Sequence, residues 1–150
     1  MNTTKLLVFI FAIITSLAFQ SETCDQRILK ENARKELGEY KYDLSKLTKI
    51  TYKNKPQLKE TEVVLFLGEK YKLIFNTEAL SKPIIVNLYN KDKDSKKRKL
   101  LFSSKDLPPD KKIFSFEYSF ARRIYIDYEI PADSTNQNLS GCVFFMLGYK

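Results

Sequence analysis

The chain has 150 residues, a formal net charge of +8, two cysteines, no histidine and no tryptophan. Without histidine the usual general base, the Ser-His-Asp triad and most zinc and copper sites are excluded. The length suits one domain that can bury a core without help from a metal.

Met1 and Lys5 precede an apolar run from Leu6 to Ile14 that continues through Leu17 and Ala18, and Ser16-Leu17-Ala18 supplies small residues for cleavage. This is the pattern of a secretory signal peptide over residues 1–18, cleaved near 18–20. A spanning helix needs about 20 apolar residues, so no transmembrane segment is expected in the mature chain. Its expected destination is periplasmic or extracellular. Loss of Lys5, with no acid in the leader, takes the charge from +8 to +7. A basic balance favours anionic neighbours and says nothing about fold.

Cys24 and Cys142 stand at opposite ends of the exported portion and are natural disulfide partners in an oxidising compartment. A lipid-anchored Cys24 is the alternative. Glu22 opposes it, because it puts a charge where such processing sites carry a small neutral side chain.

Residues 19–38 read as an N-terminal helical segment. Ile28, Leu29, Ala33 and Leu37 recur at three- and four-residue spacing from Asp25, and Gly38 follows as a stop. From residue 39 to 150 the period changes to that of strands. Tyr40, Tyr42, Leu44, Ile50 and Tyr52 alternate with polar residues. Val63, Leu65 and Leu67, then Gly68-Glu69, then Tyr71, Leu73 and Phe75 predict a hairpin with glycine leading a two-residue turn.

Further strands are predicted at Ile84 to Tyr89, Lys99 to Phe102, Ile113 to Tyr118, Ile124 to Ile130 and Val143 to Tyr149. Turn chemistry at Ser81-Lys82-Pro83, Asn90 to Ser95, Leu107-Pro108-Pro109-Asp110 and Pro131 to Gly141 separates them. The expected fold is mainly β, an antiparallel sandwich of about eight strands with one short N-terminal helix. Phe114, Phe116 and Tyr118, with Ile124, Tyr125 and Ile126 on the next strand, are expected in the core.

Leu67-Gly68-Glu69-Lys70-Tyr71-Lys72-Leu73, Ile84-Ile85-Val86-Asn87-Leu88-Tyr89-Asn90, Leu100-Leu101-Phe102-Ser103-Ser104 and Arg123-Ile124-Tyr125-Ile126 together resemble the strand order of bacterial pre-peptidase C-terminal-like domains. Those domains are small secreted β-sandwiches that accompany a protease. The resemblance covers roughly the second half of the chain and implies fold more than function. Arg122-Arg123 stands where such domains usually carry a glycine turn, and a free-standing copy would do a different job.

No phosphate loop or dinucleotide fingerprint is present, since the four glycines are scattered. No cofactor or metal is expected. Asn90-Lys91-Asp92-Lys93-Asp94-Ser95 alternates carboxylates as calcium loops do, but the interleaved lysines and the missing closing glutamate exclude that use. One catalytic option remains: Glu117 with Asp127 or Glu129 as a carboxylate pair acting on a glycan.

Between Lys91 and Lys99 six basic residues face two acids. Lys91, Lys93, Lys96, Lys97, Arg98 and Lys99 are therefore the candidate anion-binding residues. No aromatic residue falls inside the run, so a nucleic-acid partner is not expected. An anionic glycan or a lipid headgroup fits an exported location. The leading expectation is a non-catalytic exported binding or accessory protein that contacts an envelope or secreted protein, or a glycan.

Overall fold

The computed structural model describes residues 24–119, 122–135 and 137–150. The predicted leader lies outside the described residues.

Helix α1 (Gln26–Arg34) opens the described chain. Asp25 caps it, its Oδ1 accepting from the amides of Arg27 at 2.9 Å and Ile28 at 3.3 Å, which satisfies donors that a helix start leaves free. Leu29 and Ala33, four residues apart, lie on one buried face, and Leu37 and Tyr40 extend it. The apolar spacing predicted a helix to Leu37. The α-helix instead ends at Arg34 and closes through tighter bonds, Glu36 N to Ala33 O at 3.0 Å and Leu37 N to Arg34 O at 3.1 Å. Gly38 then takes a φ of +59°, where a side chain would be strained.

Eight strands follow: β1 (Lys41–Thr51), β2 (Gln57–Val64), β3 (Tyr71–Asn76), β4 (Ile85–Tyr89), β5 (Leu100–Ser103), β6 (Ile113–Tyr118), β7 (Arg123–Ile130) and β8 (Ser140–Tyr149). They form two antiparallel four-stranded sheets, ordered β1-β8-β3-β6 and β2-β7-β4-β5. The sandwich expected from the alternation is present. Its strand order is that of a jelly roll, in which the chain passes repeatedly from one sheet to the other.

That topology overturns one expectation. β2 and β3 are not a hairpin: β2 pairs only with β7, while β3 lies between β6 and β8 in the other sheet. Gly68 does turn the chain, with a φ of +96°. Val63 and Leu65 on one side and Tyr71, Leu73 and Phe75 on the other all enter the same core. They meet across it rather than side by side.

The core between the sheets holds Val86, Leu88, Ile124, Ile126, Tyr128 and Ile130 from one sheet and Leu73, Phe75, Phe114, Val143, Phe145 and Leu147 from the other. Phe75 touches Phe114 and Phe145 at ring-centroid distances of 5.5 and 5.3 Å, and Phe102 touches Phe114 and Phe116 at 6.0 and 5.4 Å. The aromatic strand β6 is thus core, as expected. Tyr125 departs from that expectation. It alternates with the buried Ile124 and Ile126 and sits half-buried on the outer face, opposite Tyr89.

Strand β8 is covered on both faces. Val143, Phe145 and Leu147 enter the inter-sheet core, while Cys142, Phe144 and Met146 pack with Leu29, Ala33 and Leu37 under α1. Asn76 ties the helix to β3 by donating from Nδ2 to the Leu29 carbonyl at 3.2 Å and to Glu78 at 2.9 Å. Cys24 and Cys142 are bonded, with Cα atoms 5.6 Å apart. At the start of β8, a Cβ on Gly141 would stand 2.3 Å from the Ala79 carbonyl oxygen, so only glycine fits there.

The strand directions place the loops at two ends. One end carries the β2–β3, β4–β5 and β6–β7 loops and the C-terminus: Val64 lies opposite Arg123, Tyr71 opposite both Tyr118 and Tyr149, and Tyr89 opposite Tyr125. The other end is pinned by Asp133, which is 6% exposed, pairs with Lys82 and accepts from Thr135 at 2.8 Å. Lys82, then Thr135, holds its carboxyl below the usual aspartate range.

The disulfide spans 118 residues, a loop whose closure is worth about 5 kcal/mol in the chain-entropy model. Reducing it, or replacing both cysteines by alanine, is expected to lower the stability by about 2 to 5 kcal/mol, read as a fall in the denaturant midpoint. An unchanged midpoint, or two reactive thiols in the unfolded, unreduced protein, would contradict the bridge.

Candidate functional site

The centre of the outer face of the β2-β7-β4-β5 sheet is polar. Antiparallel register sets Glu60, Asp127 and Asn87 in one row and Glu62, Tyr125 and Tyr89 in the next. Directly opposed residues project to the same face. Asp127 is 2% exposed, a burial that a carboxylate tolerates only with close partners.

Arg98 supplies them. It reaches back from the β4–β5 loop, donating from Nη1 to Asp127 Oδ2 and from Nη2 to Asp127 Oδ1, both at 2.8 Å. Nη2 also donates to Glu60 Oε2 at 2.9 Å, and Nε to the Lys91 carbonyl at 2.9 Å. Its guanidinium carbon lies 3.6 Å from the centre of the Tyr89 ring. The planar fork matches the carboxylate and the flat face matches the ring, a combination lysine cannot offer. Hydrogen bonding to Asp127 pushes the guanidinium pKa further above its ordinary value, so it stays charged. Burial pushes the Glu60 carboxyl up from its ordinary value; the Lys93 amide and the Arg98 charge act in the opposite direction.

The same cluster orders the loop. Glu60 Oε2 accepts the Lys93 amide at 2.8 Å, Asn90 Oδ1 accepts the Lys99 amide at 2.8 Å, and Asp92 Oδ1 accepts the Asp94 amide at 3.0 Å. Lys91, Lys93, Lys96, Lys97 and Lys99 are all exposed. Among the described residues none of these five forms a salt bridge. Of the six candidate cations, Arg98 is thus spent internally, whereas the five lysines face solvent from a braced loop.

Two cations outside the basic run join them. Arg122 and Arg123 border a shallow cleft of about 270 Å³ together with Asn90, Lys91, Asp92 and Tyr125. Arg123 also pairs with Glu62 at 3.0 Å, where both side chains are largely exposed. The sequence marked Arg122-Arg123 only as a departure from a glycine turn. Their meeting with Lys91 depends on the β6–β7 and β4–β5 loops sharing one end, which no local pattern records.

The candidate carboxylate pair does not assemble across the sheets. Glu117 lies on the outer face of the other sheet, exposed, 3.9 Å from Lys72. Asp127 and Glu129 face outward from the opposite side of the sandwich, so Glu117 cannot act with either. Asp127 is sealed beneath Arg98. Glu129 accepts from Asn87 Nδ2 at 2.6 Å and borders an apolar groove of about 600 Å³ lined by Leu58, Ile84, Ile130 and Pro131. Among the described residues no three cysteine, aspartate or glutamate side chains gather as a metal site, and no helix is long and apolar enough to cross a membrane.

Comparison of the chain with protein-family models and with curated proteins returns no match in either.

Arg98→Ala would leave Asp127 buried without its partner and is expected to cost about 3 kcal/mol or more. Arg98→Lys, which keeps the charge and loses the fork, should recover only part of it. Urea denaturation measures both, and a loss under about 1 kcal/mol for the alanine variant would show that the cluster contributes no more than a surface ion pair.

Proposed function

We propose that this chain is an exported, non-catalytic binding protein whose working surface is the basic end of the sandwich and whose ligand is polyanionic. The observation that carries this reading is the braced β4–β5 loop, which holds five exposed lysines, none in a salt bridge among the described residues, beside Arg122 and Arg123. Ordering long cationic side chains on a ligand costs entropy, and a loop already fixed by Glu60, Asn90 and Arg98 reduces the backbone share of that cost.

Export is supported by the apolar leader with its small-residue cleavage site and by the Cys24–Cys142 bond, which belongs to an oxidising compartment. The carbohydrate-active alternative loses support because Glu117 lies on the opposite face from Asp127 and Glu129.

The processed protein is expected to be retained on immobilised heparin at low salt and released towards 1 M, where the screening length is about 3 Å. Lys96→Glu with Lys97→Glu should elute much earlier. Lys111→Glu with Lys112→Glu makes the same charge change at the opposite end, before β6, and should elute close to wild type. Equal loss in both pairs would reduce the effect to net charge, and no retention at low salt would remove the reading.

A further inference from the structure

The three most exposed large apolar residues of the described protein fall within four positions: Val64 at 59%, Phe66 at 75% and Leu67 at 59%. Val64 ends β2, and Phe66 and Leu67 follow it in the β2–β3 loop, at the same end as the lysines. This is no loose segment. Leu65 is buried and its amide donates to the Arg122 carbonyl at 2.8 Å, the Phe66 amide donates to the Tyr71 hydroxyl at 2.9 Å, and Lys70 and Lys150 exchange two backbone bonds at 2.9 Å. The left-handed Gly68 completes the turn. The fold therefore holds Phe66 and Leu67 out into water on a hydrogen-bonded base, although exposed apolar clusters are disfavoured unless something covers them.

Three cations flank this tip, with the Glu62 and Glu69 carboxylates beside them. Arg123 stands directly opposite Val64 in the β2–β7 register, Arg122 bonds the base of the loop, and Lys70 follows the turn. A soluble acidic glycan would satisfy the cations and leave Phe66 and Leu67 in water. A wholly apolar protein groove would cover the side chains and leave Arg122 and Lys70 unmatched. An anionic bilayer offers both in one plane, with phosphates at the surface and hydrocarbon just beneath.

Building on the polyanion reading, we propose that the ligand is an anionic lipid surface, with Phe66 and Leu67 entering the headgroup–acyl boundary while Arg122, Arg123 and the β4–β5 lysines contact lipid phosphates. Two apolar side chains alone give weak, reversible binding, and the neighbouring cations are the second signal that makes attachment stable. Each cation near such a surface adds roughly fivefold in partition.

The chain has no tryptophan, so Phe66→Trp places a single indole fluorophore at the tip. The test uses the processed protein, its N-terminus confirmed by mass spectrometry, with vesicles of phosphatidylcholine alone or in equal parts with phosphatidylglycerol. Expected are sedimentation with the mixed vesicles only, a blue shift of the indole emission and its quenching by brominated acyl chains. Phe66→Ser with Leu67→Ser should weaken partition by at least about tenfold and leave heparin retention and the thermal midpoint unchanged.

Heparin retention without vesicle binding, or vesicle binding with neither blue shift nor sensitivity to the double serine variant, would overturn the lipid assignment and leave the polyanion reading standing. Loss of both would overturn both. Self-association that depends on Phe66 in sedimentation velocity, without vesicle binding, would assign the tip to a second copy of the chain and likewise overturn the lipid assignment.

Discussion

Strand β8 has no solvent face, and the architecture is arranged around that constraint. Its odd-numbered residues Val143, Phe145 and Leu147 need the second sheet, and its even-numbered residues Cys142, Phe144 and Met146 need α1. A strand apolar on both sides cannot lie at the surface of a two-layer sandwich, because one face would remain wet. The helix is therefore an obligatory third layer. The disulfide enforces it, joining the residue before the Asp25 cap to the second residue after Ser140 at the head of β8. Glycines flank the run where neighbours come closest: Gly141 against Ala79, and Gly148 against Leu37 and Tyr40.

The far sheet solves the opposite problem, since the centre of its outer face is polar and no helix among the described residues covers it. Burying Asp127 there would be unfavourable alone, and the β4–β5 loop folds back to deliver Arg98 over it. A buried ion pair is a weak source of stability relative to a well-packed apolar pair, but breaking one is costly. Its effect here is positional. One guanidinium joins β2 through Glu60, β4 through Tyr89, β7 through Asp127 and its own loop through Lys91. The lysines on either side of Arg98 are exposed on the loop that this cluster braces.

Much of this was legible in the sequence because it is local. Helix spacing, the alternation of β6 and β7, the apolar run of β8 and the pairing of the only two cysteines all report short-range patterns or simple counting. Sheet membership was not legible. The stretch from Val63 to Phe75 has the composition of a hairpin, and local composition is the same whether two strands lie side by side or face each other across a core. The first part of β2 escaped notice because it is an edge strand whose inward positions Gln57, Lys59 and Thr61 are polar. Inward charge of this kind discourages pairing with another chain, and it also erases the alternation. Arg98 looked like its five neighbours in the basic run. What separates it is a carboxylate 29 residues away, and no feature of the run itself points there.

The central claim is that the Arg98 cluster holds the basic loop in a fixed conformation before any ligand arrives. Amide hydrogen exchange at Lys93 and Lys99 measures this directly, because their N–H groups donate to Glu60 and Asn90 within the braced loop. In the intact, ligand-free protein both amides should exchange on the order of a hundredfold more slowly than in an unstructured peptide, and Arg98→Ala should abolish that protection at Lys93. Exchange at the free-peptide rate in the intact protein would contradict the account, because the fold would then not be ordering the loop.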